Sequence, residues 1–397
     1  MKIAEINTVC FVGAGTMGCY NSIAAAISGY DVVLYDVSEA TLQQVPRRHA
    51  EMAAFLVGGG YCSQDEIPAA LQRVTLTADL REATAHADLV SESVFERLDI
   101  KRDIHRQLDE VCPPRTILTT NSSALLVSEI EDVVRRGDRF AALHSHLGAP
   151  LVDIVGGPRT SAATIDILQR YVQSTGGVPL VLNKEYPGYV LNAMLGSVLG
   201  AALRLVAEDG AALEDVDRAW MLGRGAPMGP FGMMDLFGIN VIHDSWQHRP
   251  DDPFTAPVRP RILALLQPLV ERGELGMKAG RGFYRYPEPN YQQEGFLARA
   301  QELAPLGDAL LAALIGNAVL VAANDVLEPA DIDRAWKTGT FLDAGPFEIL
   351  ARTGVAQFLQ ILAGEVAAGR FDSGRAGRVT DYLQQNLKQF DKEISDG

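Results

Sequence analysis

Two kinds of hydrophobic pattern divide the chain. In its first half, short apolar runs at Thr8 to Val12, Val32 to Tyr35, Arg73 to Thr77, Leu89 to Ser91, Thr116 to Thr120, Phe140 to Leu143 and Val178 to Leu182 read as buried strands. Helical patterns lie between most of them, clearest over Arg97 to Val111. This alternation predicts an α/β domain: a doubly wound parallel sheet covered on both faces. Ligands of such sheets sit beyond the carboxyl ends of the strands. Asp36, Glu92, Asn121 and His144 all fall at those ends, so the fold can bring them to one crevice. From Glu185 the pattern turns helical. Residues 189–207 form one long apolar segment, and Leu213 to Trp220 is amphipathic with acids in its first turn.

The helical part recurs. Asp217-Arg218-Ala219-Trp220 returns as Asp333-Arg334-Ala335-Trp336, an offset of 116. The same offset carries Gly223 to Gly339, Gly229-Pro230-Phe231 to Gly345-Pro346-Phe347, and Gly238 to Gly354. One register held across all of these points to two tandem copies. The expected division is 1–184, 185–288 and 289–397, with 287–294 as the linker between copies. Asp308 stands in the second copy where the first has Asn192, and the Pro-Gly before it is missing, so a direct substrate role is expected of the first copy alone.

The first apolar run leads straight into Gly13-Ala14-Gly15-Thr16-Met17-Gly18, and a second run ends at Asp36. This is G-x-G-x-x-G between a strand and a helix, with an acid 23 residues after the first glycine. Gly13 permits the tight turn, Gly15 lets a pyrophosphate approach the backbone, and Gly18 lets the helix lie close to the strand. Thr16 and Met17 open the helix, whose free N–H groups and positive end suit phosphates. Asp36 can accept hydrogen bonds from a ribose 2′-hydroxyl and would repel a 2′-phosphate, so the expected cofactor is NAD.

Composition narrows the field. The 397 residues are 47% apolar, which excludes wholesale disorder, and a net charge of −15 argues against non-specific nucleic-acid binding and against docking on an anionic membrane. The longest uncharged apolar stretches, 189–203 and 309–323, are 15 residues each and too short to span a bilayer. Four cysteines without a CxxC give no disulfide framework, and Cys10 and Cys19 read as small packing residues rather than metal ligands. The opening Met1-Lys2-Ile3-Ala4-Glu5 has no basic n-region, and a reducing cytoplasmic setting is expected.

Further stretches support a family assignment. They are Ala87 to Glu96, Thr120-Asn121-Ser122-Ser123, Arg139 to His144, Pro187 to Asn192, Pro227 to Phe231, and Lys278-Ala279-Gly280-Arg281-Gly282-Phe283-Tyr284. In this order they resemble the L-3-hydroxyacyl-CoA dehydrogenase family of fatty acid metabolism. The resemblance implies a Rossmann-like domain followed by all-α domains of the 6-phosphogluconate-dehydrogenase C-terminal type. It also implies NAD-dependent oxidation of a 3-hydroxyacyl-CoA to the 3-oxo form. His144 matches the catalytic base. Ser123 and Asn192 match positions that hydrogen-bond the substrate oxygens. Glu96, Lys101, Ser123 and Lys278 match positions that contact NAD, and Asn121 lies within the same motif. The two helical copies would pair as an internal pseudo-dimer, with a homodimer left open.

Each assignment has a structural counterpart. Ser123 can serve as a helix N-cap, and Asn192 can be a buried amide in an apolar helix. The segment His144-Ser145-His146-Leu147-Gly148-Ala149-Pro150-Leu151-Val152-Asp153 departs from the family's His, Asn-Pro, Leu-Val-Glu pattern. Leu147 replaces the Asn, the loop is shorter, and the acid is Asp153. That acid either pairs with His144 or is a solvated strand residue. His144 and His146 could share a face, but no third metal ligand is apparent, so no metal is expected. Arg47, Arg48 and Lys101 are candidates for a basic patch facing coenzyme A. Two alternatives stay open: a dehydrogenase of a non-CoA hydroxy acid or aldehyde, and a non-catalytic NAD-binding protein.

Overall fold

A computed structural model describes residues 2–298 and 303–395, with side chains to 386. The stretches 299–302 and 396–397 of the expected last domain, and Met1, lie outside the described residues. The chain forms two compact units: residues 1–189 with 325–327 and 338–340, and residues 190–324 with 328–337 and 341–397.

The first unit is built on one eight-stranded sheet: β1 (Thr8–Val12), β2 (Asp31–Tyr35), β3 (Val74–Thr77), β4 (Leu89–Glu92), β5 (Ile117–Thr120), β6 (Phe140–Ser145), β7 (Leu151–Gly156) and β8 (Val178–Leu182). Its order is β3-β2-β1-β4-β5-β6-β7-β8. β1 to β6 run parallel, but β7 is antiparallel to β6 and β8 follows β7. The all-parallel sheet expected from the alternation is therefore corrected at one edge. The five residues from His146 to Pro150 are too few for a helical crossover, so the chain can only turn back on itself.

The helix Thr16–Ile27 buries mostly small residues, Gly18, Cys19, Ser22, Ala25 and Ala26, with Tyr20 and Ile23 beside them, which lets it lie close on β1. Cys10 and Cys19 are buried free thiols, and burial pushes Cys19 up to about 11, so both behave as small apolar residues.

The second unit is helical. Its helices Leu213–Arg224 and Pro230–Phe237 reappear as Pro329–Thr340 and Pro346–Thr353, at the offset of 116. One capping device serves both. Asp217 accepts the N–H groups of Phe231 and Gly232, and Asp333 those of Phe347 and Glu348. A Cβ at Gly229 or Gly345 would come within 2.3 Å of these aspartates, which is why both loops carry glycine there. Gly225 ends the first helix in the left-handed region, and Phe341 adopts the same conformation at the equivalent place. Trp220 and Trp336 meet edge to face with centroids 6.3 Å apart.

The apolar run at 309–323 belongs to a longer helix, Ala304–Ala323. By length and composition it could cross a membrane, but it is mostly buried at the centre of this unit. Its neighbours include Leu191–Ala207, Val355–Ala367 and Ser373–Ser395. The expected linker is also packed: Tyr291 is buried, with its ring 4.9 Å from that of Tyr284.

Candidate active site

The glycine turn follows β1 at the carboxyl edge of the sheet. Gly13 has a φ of +101°, and a Cβ there would lie 2.7 Å from the Ser93 carbonyl. A Cβ on Gly18 would lie 1.8 Å from the Gly13 carbonyl. Gly15 has nothing within 4 Å of a built Cβ. The protein's own packing thus requires glycine at 13 and 18 but not at 15, where open space lies over the backbone. The helix beginning at Thr16 has no side-chain cap, so its first N–H groups face that space. A dinucleotide phosphate fits this cradle.

Asp36 closes the turn from the end of β2. Its carboxylate accepts the Ala14 N–H at 2.9 Å and the Ser38 N–H at 2.9 Å, which fixes its orientation beside the turn. Arg48 donates to the Ala14 carbonyl, so it braces the turn. That differs from the surface patch expected of it.

Beyond β4 and β5 lies a buried polar network. Glu92 is fully buried and accepts from Lys101 Nζ at 2.7 Å, Val94 N at 2.7 Å and Thr120 Oγ1 at 2.8 Å, with His105 Nε2 at 3.1 Å. Burial alone would raise its pKa, but the His105 and Lys101 contacts hold it down to about 2. Lys101 is 1% exposed and lies 3.3 Å from Glu96 as well. It is therefore a corrected candidate: its charge is committed inside the protein and cannot form a coenzyme A patch. Glu96 in turn accepts from Ser122 Oγ and from the N–H groups of Ser123 and Ala124. The carboxylate thus shapes the loop that presents Ser123. His105 was not singled out in the sequence. Its signal was helical spacing, since Lys101, His105 and Leu108 share the buried face of Leu98–Val111.

His144 and Asp153 are register partners across β6 and β7. Asp153 Oδ2 lies 2.9 Å from His144 Nδ1, and the carboxylate is fully buried. This excludes a solvated Asp153. Burial would raise the Asp153 pKa, yet the imidazoles of His146 and His144 keep it at about 2. Desolvation lowers the pKa of His144, opposed by its bond to Asp153. Asn121 Oδ1 accepts the Ser145 N–H at 2.8 Å and so ties the end of β6 to that of β5. The Tyr189 ring lies 5.3 Å from that of His144, held by a backbone φ of +51°.

The fold also supplies the third metal-type ligand that the sequence did not reveal. His144, His146 and Asp153 offer ligand atoms all within 4.8 Å of one another. His144 Nδ1 and His146 Nε2 both lie at hydrogen-bond distance from Asp153 Oδ2, while Asp153 Oδ1 is buried without a partner among the described residues. Asn192 and Lys278 belong to the second unit: Asn192 is half-buried in the first turn of Leu191–Ala207, and Lys278 is exposed in a short 3₁₀ turn. That turn is part of a clip on Asp235, which accepts the N–H groups of Phe283 and Tyr284 and the hydroxyl of Tyr286.

Residues 8–186 match the NAD-binding domain of 3-hydroxyacyl-CoA dehydrogenase, and residues 188–286 match its C-terminal domain. A probable 3-hydroxybutyryl-CoA dehydrogenase of Bacillus subtilis is 31% identical over 72% of this chain and 99% of its own. The chain belongs to the 3-hydroxyacyl-CoA dehydrogenase family. Members of this family are NAD-dependent oxidoreductases acting on CH–OH groups. The 3-hydroxyadipyl-CoA dehydrogenase of Escherichia coli is 33% identical over 76% of this chain, which spans 64% of that enzyme's length. Among solved structures, a diketoreductase acting on dicarbonyl compounds is 33% identical, with a TM-score of 0.65 over 72% of this chain and 100% of its own.

Proposed function

We propose that this dehydrogenase oxidises the 3-hydroxyl of a (S)-3-hydroxyacyl-CoA, with His144 as general base. The observation that carries this reading is the His144–Asp153 pair on the sheet that also holds the glycine turn. With Nδ1–H donated to a carboxylate, the imidazole is left with a bare Nε2, the tautomer that can take a hydroxyl proton. Asp153 then stabilises the imidazolium. When bound, NAD supplies the hydride acceptor, and Gly13, Gly15, Gly18 and Asp36 would hold it. Ser123, presented by the Glu96-bound loop, donates to the substrate oxygen, a role Asn192 shares by family resemblance. Of the three basic candidates for coenzyme A, Arg47 alone is exposed, and it lies 3.8 Å from Glu51.

A second reading is favoured by Leu147 at the family's Asn position and by the likeness to a diketoreductase: the same chemistry on a substrate without coenzyme A. Steady-state assays with NAD across 3-hydroxyacyl-CoA chain lengths, beside non-thioester hydroxy acids and dicarbonyls, separate the two. Turnover of non-thioesters alone rejects the first. We also infer that the helices at the 116-residue offset are a duplicated domain paired internally, which agrees with their shared capping device and the Trp220–Trp336 contact.

A further inference from the structure

His146 is the side chain at this site that the proposed reaction leaves unused. Its Nε2 lies 2.8 Å from Asp153 Oδ2, the same oxygen that takes His144 Nδ1. The two imidazole rings meet edge to face with centroids 4.5 Å apart. Both side chains are below 10% exposure, at 9% and 7%. The other carboxylate oxygen, Oδ1, is buried without a partner. One oxygen therefore carries two imidazoles and its twin carries none. A phenyl ring at position 146 could not make this bond.

We propose that His146 is a positioning residue for the base: it shares the charged oxygen of Asp153 with His144 and takes up a proton in its place, so that His144 keeps its base form in more acidic solution. The inference rests on the reading of His144 as base. Two imidazoles on one carboxylate titrate as a pair, not as two independent groups. The first proton divides between them, and every molecule that carries it on His146 still has a neutral His144. The second proton meets a like charge one ring away and an acid already compensated. Asp153, Glu96 and the Tyr189 phenol face His144, and Glu185 lies near that phenol. Among these, Glu96 is paired with Lys101. A lone histidine on Asp153 would hold its proton to higher pH.

The test is the pH dependence of kcat/KM in wild type, His146→Gln and His146→Phe, measured with NAD on the best substrate of the panel. Gln keeps an N–H donor but cannot take a proton, and Phe removes both. The readout is the position of the acid limb, not the height of the plateau. The expected result is a limb displaced to higher pH in both variants, by about half a unit or more. Carbon-13 NMR of labelled histidine rings in the apoenzyme gives a second readout that needs no turnover. Wild type should show two coupled steps at this pair, and His146→Gln should show one, at higher pH than the second of them. An unmoved limb together with an unmoved His144 titration overturns the inference. His144→Ala keeps the failures apart: if it retains turnover, the base reading itself is lost. If it abolishes turnover while His146→Gln leaves the limb in place, only the role of His146 is lost.

Discussion

Asp153 faces His144 directly across an antiparallel ladder, with its Oδ2 2.9 Å from the imidazole Nδ1. Neighbouring strands fix this distance, so a carboxylate as short as aspartate reaches the ring without help from a loop. An amide here would offer an N–H as readily as a carbonyl and would no longer fix the tautomer. Asp153→Asn is therefore expected to lower kcat by ~10³–10⁴-fold while NAD affinity changes little. Steady-state kinetics beside NAD titration by fluorescence check this. Unaltered kcat would remove Asp153 from the mechanism.

Glu92 and Lys101 form a buried pair of a different kind, at 2.7 Å, with the ammonium also serving Glu96. Lys101→Met would leave Glu92 buried without its cation. Breaking such a pair costs about 3–5 kcal/mol, which denaturant unfolding can measure. The sign of the pH dependence follows from the lowered carboxyl. Glu92 sits at about 2 against an ordinary 4.5, so its contribution to stability is full above 4.5 and is lost as pH falls toward 2. The variant should lose the share of that acid dependence that Lys101 supplies and keep the share that rests on His105. A variant as stable as wild type, with the same acid profile, would contradict the buried pairing.

The glycine turn separates packing from binding. Gly18→Ala forces a Cβ to 1.8 Å from the Gly13 carbonyl, whereas Gly15→Ala meets nothing within 4 Å. Gly18→Ala should lower the melting temperature of the apoprotein by roughly 5–10 °C. Gly15→Ala should leave it unchanged yet weaken NAD by about tenfold or more, because its Cβ fills the phosphate's space. Thermal melts and NAD titrations on both variants test this. Full NAD affinity in Gly15→Ala would place the pyrophosphate elsewhere.

These sites differ in how far the sequence revealed them. The glycine turn and Asp36 were legible because each residue type there answers to one mechanical demand at a fixed spacing. His144 and Asp153 were legible as a pair only with a carboxylate in reach. Their geometry was not, since β7 escaped a reading that expected parallel strands joined by helices. Lys101 was read as a candidate for a basic patch because a lysine's burial depends on partners brought in by folding, here Glu92 at the end of β4. His146 was hidden for the same reason: its partner is seven residues away and enters from a strand that runs the opposite way.

The helical repeat leads to a final expectation. Leu191–Ala207 packs along Ala304–Ala323, and Trp220 meets Trp336, so the apolar face of the first set of helices is covered by the second. A chain ending after residue 290 would expose that face, including the buried Trp220. Apolar surface of this size is left bare in few stable monomers. The shortened protein is expected to aggregate or to dimerise through the same helices, which would satisfy with a second chain what the full protein satisfies internally. Size-exclusion chromatography with light scattering reads the outcome directly, and thermal melting reports the stability. A soluble monomer that melts at the wild-type temperature would mean that the second set of helices is not a cover at all, and the internal pairing would have to be abandoned.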